Sequence, residues 1–168
     1  IDKIVKDAGG ANELRRHLEE LARKIQTDED SKKIIIGIFD NDAKGNQEFA
    51  GLSDDNFDLI HNRLKKHKKY NIYALKLPIP EEESYNPYLQ EKQEFKFFSI
   101  EHYFPISYLE TNNVVKETTI PGVYEIRGNK NDFAKQVQQE KSEEIFSNFP
   151  VLLRAIDEIC GKQLDYFD

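Results

Sequence analysis

The chain has 168 residues, which is enough for one ordinary domain with an appended subdomain. Charged residues make up 33% and hydrophobic residues 38%, as is typical of a globular protein with a well-solvated surface. The formal net charge of −7 argues against a protein that coats DNA uniformly, although an enzyme with segregated charge remains compatible with it.

Three further features bound the class of protein. No apolar run is long enough to cross a membrane and no signal peptide is recognisable, so we predict a cytoplasmic location. The single cysteine, Cys160, excludes an intramolecular disulfide and a cysteine metal cluster. The chain starts at Ile1 and contains no methionine, so we expect it to be a fragment of a longer protein.

The first third of the chain has a strand–helix–strand pattern. Residues 1–8 predict a short strand, and apolar residues at helical spacing predict a helix from Asn12, as its N-cap, to Gln26. A polar loop at 27–31 precedes an isoleucine-rich strand at 34–39, whose lack of alternation favours burial on both faces. This order predicts a right-handed parallel crossover.

The middle of the chain is less regular. We predict helices at Gln47–Leu52 and Asp55–Lys66, then a strand at Asn71–Leu77 that Pro78 stops. The polar stretch Glu81–Glu94 predicts an exposed loop.

The last third predicts a compact set of local elements. Ser99 is placed to cap a turn or helix. The elements expected from there to the C-terminus are a turn or helix at Glu101–Pro105, a hairpin of Val114–Thr119 with Val123–Arg127, and helices at Lys130–Gln139 and Phe149–Cys160.

The stretch Lys33–Gly45, KIIIGIFDNDAKG, carries the strongest chemical signal. Two carboxylates, Asp40 and Asp42, follow its apolar run, and they project to the same side if the extended path continues. Ligands of open α/β sheets bind beyond the carboxyl ends of the strands. Paired carboxylates there repel unless a proton or cation lies between them, and a divalent metal with oxygen ligands suits the position.

The segment DNDAKG is also compatible with motifs other than a metal-binding pair of carboxylates. An EF-hand loop fails because its fifth and twelfth positions are Lys44 and Gly51, neither of which supplies a carboxylate. A phosphatase of the haloacid dehalogenase type, with Asp40 as nucleophile, is weakened by Lys44 but stays open. A structural Asx-turn at Asn41 and Asp42 that leads into a helix also stays open.

The order of the segments adds a family resemblance. A crossover helix, IIIGIFDNDAKG, NIYALKLPIP and FFSIEHYFP together resemble the Toprim domain of the OLD (overcoming lysogenization defect) family nucleases. GNKNDFAKQV and IFSNFPVLLRAIDEI resemble that family's helical C-terminal part. The implied fold is α/β, with a Toprim-like, mainly parallel sheet flanked by helices over residues 1–109. A hairpin and helical extension would occupy residues 110–168.

The resemblance implies hydrolysis of DNA phosphodiester bonds assisted by Mg²⁺ or Mn²⁺. Asp40 and Asp42 match the family's metal-binding DxD, and Glu101 matches a later acidic position that can complete a second metal site. Lys130 matches a lysine that stabilises charge near the scissile phosphate. The expected partners are DNA and an N-terminal ATPase domain outside this chain, with homodimer formation as a further option and no membrane.

One departure from the family keeps a non-catalytic alternative open. The family's Toprim domain begins with a strand that bears a glutamate, usually within VEG, and no such motif precedes Asn12. We therefore expect the first Toprim strand to be missing. A Toprim-like module for DNA docking or assembly is the alternative to a nuclease.

The segment His61–Lys69, HNRLKKHKK, is the candidate for sequence-independent contact with DNA phosphates. The alternative is an ordinary solvated face. The predicted DNA-binding residues are Arg63, Lys65, Lys66, Lys68 and Lys69.

Overall fold

A computed structural model describes residues 10–161 of the protein. Its described elements, in chain order, are helices α1 (Ala11–Lys24) and α2 (Asp28–Lys32), strands β1 (Ile35–Phe39) and β2 (Asn41–Asp42), helix α3 (Ala43–Ala50), strands β3 (Phe57–His61), β4 (Leu64–His67), β5 (Ile72–Lys76) and β6 (Phe97–Phe98), helix α4 (Ile106–Thr111), strands β7 (Val115–Glu117) and β8 (Tyr124–Ile126), and helices α5 (Lys130–Gln139) and α6 (Pro150–Gly161). Four short 3₁₀ helices lie at Glu83–Tyr88, Gln93–Phe95, Ile100–Tyr103 and Glu143–Phe146.

The central element is a mixed four-stranded sheet with strand order β1-β5-β4-β3. β1 and β5 run parallel, with Ile35 opposite Ile72 and Phe39 opposite Lys76. The pairs β4–β5 and β3–β4 are antiparallel. The predicted α/β class is confirmed, but the prediction of a mainly parallel sheet is wrong, because a β-hairpin supplies two of the four strands.

That hairpin occupies the segment for which a helix was predicted. The helix at Asp55–Lys66 is wrong: β3 and β4 lie there instead, and Leu64 in β4 pairs with Leu75 in β5. The charged residues of the segment favour a helix locally, but pairing with the buried strand β5 overrides that preference. Lys65 lies inside the fold and donates to the carbonyl oxygens of Ala50 and Leu52.

Each face of the sheet is covered by a different apolar cluster. On one face α1 and α3 pack through Leu18, Phe49 and Leu52 against β1, β3 and β5. The close approach of α1 to β1 depends on Gly37, since a Cβ at this position would overlap the side chain of Leu18. The opposite face carries a larger, aromatic-rich cluster that includes Tyr73, and α6 packs there.

Two segments predicted as loops contain short helices. Within the predicted exposed loop Glu81–Glu94, a 3₁₀ helix buries Tyr85 and Tyr88 in the aromatic-rich cluster, whereas most of the other residues are exposed. The predicted loop 27–31 is largely the short helix α2, which the Thr27 hydroxyl caps by accepting from the Asp30 N–H.

The two helices predicted in the N-terminal half of the chain, apart from the one at Asp55–Lys66, are confirmed with shifted boundaries. α1 runs over Ala11–Lys24, but Asn12 lies inside it and Gly10 occupies the N-cap position. The helix predicted at Gln47–Leu52 begins earlier, at Ala43. The strand predicted at residues 1–8, and with it the first crossover, lies outside the described residues.

The C-terminal elements follow the sequence prediction closely. The hairpin is present as antiparallel β7 and β8, and α5 and α6 lie where helices were expected. Phe104, Leu109, Val114, Phe133 and Ile145 form a third apolar cluster in this part. Because α6 also packs on the sheet, residues on both sides of the predicted boundary at 109/110 share one core. No helix in the described range 10–161 has the length and apolar character needed to cross a membrane.

We expect Tyr103→Phe to destabilise the protein by about 1–3 kcal/mol, because it leaves a buried carbonyl oxygen without its donor. The Tyr103 hydroxyl is fully buried and donates to the carbonyl oxygen of Pro78 at 2.6 Å. Urea denaturation gives the free energy of unfolding. Tyr70→Phe is the matched control, since the hydroxyl of Tyr70 makes no hydrogen bond within the described part of the chain. Equal stabilities of the two variants would contradict the prediction.

Candidate active site

The carboxyl end of β1 positions the first acidic residue. Phe39 is the last residue of β1 and is buried against α3, so the next side chain, that of Asp40, points towards the opposite face of the sheet. There it accepts a hydrogen bond from the backbone N–H of Ile100, with Oδ1 at 3.2 Å. Ile100 opens the 3₁₀ helix that carries Glu101, so this contact joins the two acidic segments.

A short second sheet fixes the distance between these segments. β2 pairs with β6 in antiparallel register, with Asn41 opposite Phe98 and Asp42 opposite Phe97. The chain leaves β6 at Ser99 and enters the 3₁₀ helix directly. The pairing therefore holds Glu101 near the DxD motif, although the two are about sixty residues apart in sequence.

Asp42 has a structural role at the start of α3. Its Oδ1 accepts from the N–H of Gly45 at 2.6 Å, which makes Asp42 the N-cap of the helix. The structural alternative considered for the sequence, a polar turn that leads into a helix, therefore describes this residue. The cap uses one carboxylate oxygen, and nothing within residues 10–161 hydrogen-bonds to the other.

Glu101 is buried, and each of its two carboxylate oxygens has a partner. Its Oε1 forms an ion pair with the ammonium of Lys130 at 2.8 Å, and its Oε2 accepts from the Ser99 hydroxyl at 2.7 Å. Burial raises the pKa of Glu101, but the hydrogen bonds from Lys130 and Ser99 outweigh it and hold the pKa below its usual value. Glu101 is therefore a carboxylate that the fold keeps ionised.

Lys130 lies within electrostatic reach of all three acids. Burial lowers the pKa of Lys130, yet the hydrogen bond to Glu101 and the charges of Asp40 and Asp42 outweigh it and raise the pKa above its usual value. Just over half of the Lys130 side chain is exposed, at 56%, so its ammonium remains open to solvent. The four predicted site residues thus lie near one another: Asp40 between β1 and β2, Asp42 in β2, Glu101 in the 3₁₀ helix and Lys130 in α5.

Asp40 is the carboxyl group of this site whose ionised form is disfavoured. Burial is the main cause that raises its pKa, to about 6, and the charges of Glu101 and Asp42 add to the effect. Lys130 acts in the opposite direction without cancelling it. One positive and three negative charges leave a net negative site, which a bound cation would relieve.

The donor set fits a metal ion held by two carboxylates better than one held by three. Among residues 10–161, no group of three or more His, Cys, Asp or Glu side chains is arranged to hold a metal ion. Asp40 and Asp42 each keep one oxygen that no group in the described chain binds. Mg²⁺ commonly uses one or two carboxylates with several waters, so this pair suits it. Glu101 would have to give up Lys130 or Ser99 to become a ligand.

His102 is a structural residue. Its Nδ1 accepts from the Ser99 N–H at 2.9 Å and its Nε2 lies 2.8 Å from the carbonyl oxygen of Tyr124. A neutral ring with its proton on Nε2 satisfies both contacts. Burial lowers the pKa of His102, which favours that neutral form. Ser99 and His102 together form the capping box of the 3₁₀ helix, as the predicted cap at Ser99 requires.

The predicted DNA-binding residues do not form one continuous basic face. Lys65 is buried, with its ammonium bonded to backbone carbonyls, and Lys66 donates to the carbonyl oxygen of His67. Lys68 is exposed, donates to the carbonyl oxygen of Asp54 and pairs with Asp58 at 3.8 Å, whereas Lys69 is exposed. Side chains alternate across β4, so the run is divided between two faces of the sheet. Arg63, in the turn before β4, is half-buried.

Several residues that shape the site were missed by the sequence analysis. Asn46 donates to Asn41 Oδ1 and to the carbonyl oxygen of Asp42, both at 2.8 Å, and so fixes the DND turn. Lys76 donates to Asn46 Oδ1 at 3.0 Å. A lysine within the otherwise apolar strand NIYALKL was the available signal for Lys76. Asn46 offered none beyond its position after Gly45.

Comparisons of the chain with models of protein families, with curated proteins and with solved structures found no match. The resemblance to the Toprim domain therefore remains a prediction from sequence motifs.

Asp40→Asn is expected to stabilise the metal-free protein near pH 7.5 by about 1–3 kcal/mol. With a pKa near 6 when folded and a lower one when unfolded, Asp40 favours the folded state only while it is protonated. That contribution is complete below about pH 4 and is lost as the pH rises through about 6. Urea denaturation with a chelator should therefore show a gain at pH 7.5 that disappears near pH 4.

The exposed residue Asp157 provides the control for this prediction. Asp157→Asn should leave the difference between the two pH values as in the unmodified protein. If Asp40→Asn instead loses stability at pH 7.5, the ionised Asp40 carboxylate stabilises the folded protein, and the prediction is wrong.

Gly45→Ala is expected to destabilise the protein by about 1–3 kcal/mol and to move the DxD turn. The added methyl group would overlap the carbonyl oxygen of Asp40 and lie 2.8 Å from its carbonyl carbon. The backbone must then shift, whereas a Cβ at Gly51 would overlap only the guanidinium end of the Arg15 side chain and would lie at an ordinary 3.4 Å from the carbonyl oxygen of Gln47. Thermal denaturation of the two variants should show a clear loss for Gly45→Ala alone. Similar losses would contradict this explanation.

Proposed function

We propose that the protein is a divalent-metal-dependent DNA endonuclease domain, of the type found in OLD-family ATP-dependent enzymes. The observation that carries the proposal is the meeting of Asp40, Asp42, Glu101 and Lys130 at the carboxyl end of β1. Three acids with one lysine in a partly exposed site match what phosphodiester hydrolysis requires: cation ligands beside a group that stabilises phosphate charge.

Each residue of the site has a separate role in the proposed reaction. Asp40 and Asp42 hold the cation through the oxygens that the fold leaves open. Mg²⁺ or Mn²⁺ supplies an activated water and neutralises charge on the leaving oxygen. Lys130, oriented by Glu101, presents its ammonium to a phosphate oxygen from the solvent side. Ser99 keeps Glu101 in place and so acts on Lys130 through it.

A non-catalytic docking or assembly module is the second candidate, and one observation favours it. Both oxygens of Glu101 are bound by Lys130 and Ser99, so within the described residues it does not join Asp40 and Asp42 as a metal ligand. In that case the acids and Lys130 would form an internal charge network that joins the DxD segment to α5.

The two candidates differ in the outcome of a plasmid assay. Supercoiled plasmid incubated with the intact protein and Mn²⁺ should be nicked or linearised, as gel electrophoresis would show. Asp40→Ala/Asp42→Ala should lower the rate by about 100-fold or more, since even groups that only orient metal ligands are worth 10–100-fold.

The matched control is Glu81→Ala/Glu82→Ala, which also removes two carboxylates, but at exposed positions in a different segment. It should cleave at the unmodified rate. Plasmid that stays intact with the unmodified protein, over a range of Mn²⁺ and Mg²⁺ concentrations, would leave the non-catalytic candidate in place.

A further inference from the structure

Lys76 is a half-buried cation beside the candidate active site. It is the last residue of β5, directly opposite Phe39 in the parallel ladder and therefore one position from the start of the DND turn. Its side chain lies on the α3 side of the sheet, with the ammonium 4.9 Å from the centre of the Phe49 ring.

The ammonium is held in a fixed place by the turn. It donates to Asn46 Oδ1, and the amide nitrogen of Asn46 donates to Asn41 and Asp42. This set of bonds assigns the orientation of the Asn46 amide without ambiguity, since its oxygen faces a cation and its nitrogen faces two acceptors. The position of the Lys76 ammonium is therefore coupled to the conformation of the turn.

A second lysine lies next to the same turn. Lys96 directly precedes β6, and its carbonyl oxygen accepts from the N–H of Ala43 at 2.9 Å, in the first turn of α3. Its side chain is partly buried.

Lys76 and Lys96 are the two cations of this region on which the inference rests. Burial, together with the charges of Lys96 and Arg63, lowers the pKa of Lys76 to about 8. Neither Lys76 nor Lys96 forms an ion pair with any residue between 10 and 161. Two exposed lysines of the same region, in contrast, have an acid beside them: Lys44 pairs with Glu48, and Lys130 pairs with Glu101.

We propose that Lys76 and Lys96 form a binding site for a backbone phosphate of the nucleic acid, next to the acidic site. The inference rests on the proposed function for the identity of the ligand, and it adds a cationic contact that the motif resemblance does not supply. The acids repel a polyanion, so a nuclease of this design needs cations close by to hold the strand against that repulsion. The lysines position the strand and take no part in bond cleavage.

Phosphate is the anion that the site suits best. Lysine ammonium groups bind phosphate oxygens as compact point charges, and two of them together can hold a singly charged phosphodiester. Contacts of this kind fix the register of a strand without reading its sequence. The basic run on β4, in contrast, is largely occupied by contacts within the protein.

The salt dependence of DNA binding tests the inference. The dissociation constant of a short fluorescein-labelled DNA duplex is measured by anisotropy over a series of NaCl concentrations, with EDTA present so that no cleavage occurs. Each lost phosphate contact lowers the slope of log Kd against log salt by about 1. We expect Lys76→Gln/Lys96→Gln to bind more weakly and to lower the slope by about 1, since the two lysines hold one phosphate.

Three control variants separate direct contact from indirect effects. Lys116→Gln/Lys141→Gln removes the same charge from exposed lysines of the C-terminal part and should leave the slope within about 0.5 of the unmodified value. Lys76→Arg keeps the charge and should keep the slope. Asn46→Ala breaks the tie to the turn but leaves the ammonium, so the slope should also persist. Circular dichroism melting confirms that each variant is folded.

The outcomes distinguish this inference from the proposed function. An unchanged slope in folded Lys76→Gln/Lys96→Gln would overturn it, even if the unmodified protein cleaves plasmid. A slope loss in Asn46→Ala equal to that of Lys76→Gln/Lys96→Gln would also overturn it, because the lysines would then act only through the turn. A reduced slope in the double variant with no plasmid cleavage by the unmodified protein would support the phosphate site and reject the nuclease.

Discussion

The burial of a carboxyl group at the carboxyl end of β1 is the constraint on which the rest of the site depends. Burial is the largest cause that raises the pKa of Asp40 to about 6, and the charges of Glu101 and Asp42 add to it. Lys130 acts in the opposite direction, and its ion pair with Glu101 holds it beside the acids. The ionised form of Asp40 therefore lowers the stability of the folded protein near neutral pH, and this is the physical argument for the cation proposed above.

Backbone contacts set the positions of the acidic residues. The pairing of β2 with β6 brings the 3₁₀ helix of Glu101 to the DxD turn, and the lack of a side chain at Gly45 lets α3 start against the carbonyl group of Asp40. Asp42 both caps α3 and contributes its free oxygen to the site. The same residues therefore start the helix and form the acidic surface, which ties the site to the stability of its surroundings.

Charges of both signs meet at the end of the sheet. Glu101 and Lys130 pair on the side of the 3₁₀ helix, whereas Asp42 caps the first turn of α3, where Lys76 also lies. Asn46 joins these groups, since it accepts from Lys76 and donates to Asn41 and to the carbonyl oxygen of Asp42. A net charge of −7 thus coexists with a region in which cations and acids lie close together.

The sequence by itself determined the features that depend on local pattern. An isoleucine-rich strand ending in DND, an amphipathic helix before it, the β7–β8 hairpin and the two last helices were all predictable, since each rests on periodicity or turn residues within a short window. Asp40 and Asp42 stood out by their position at the end of a buried strand, whereas Glu101 and Lys130 came from the motif resemblance, because periodicity alone would not have joined them to Asp40. Only the tertiary structure decided that Asp55–Lys66 forms strands, because pairing with β5 outweighs the helical preference of its charged residues. It also decided that Lys65 is buried and that Lys76 faces α3. Burial and long-range pairing are properties of the assembled sheet, and no short window of sequence contains them.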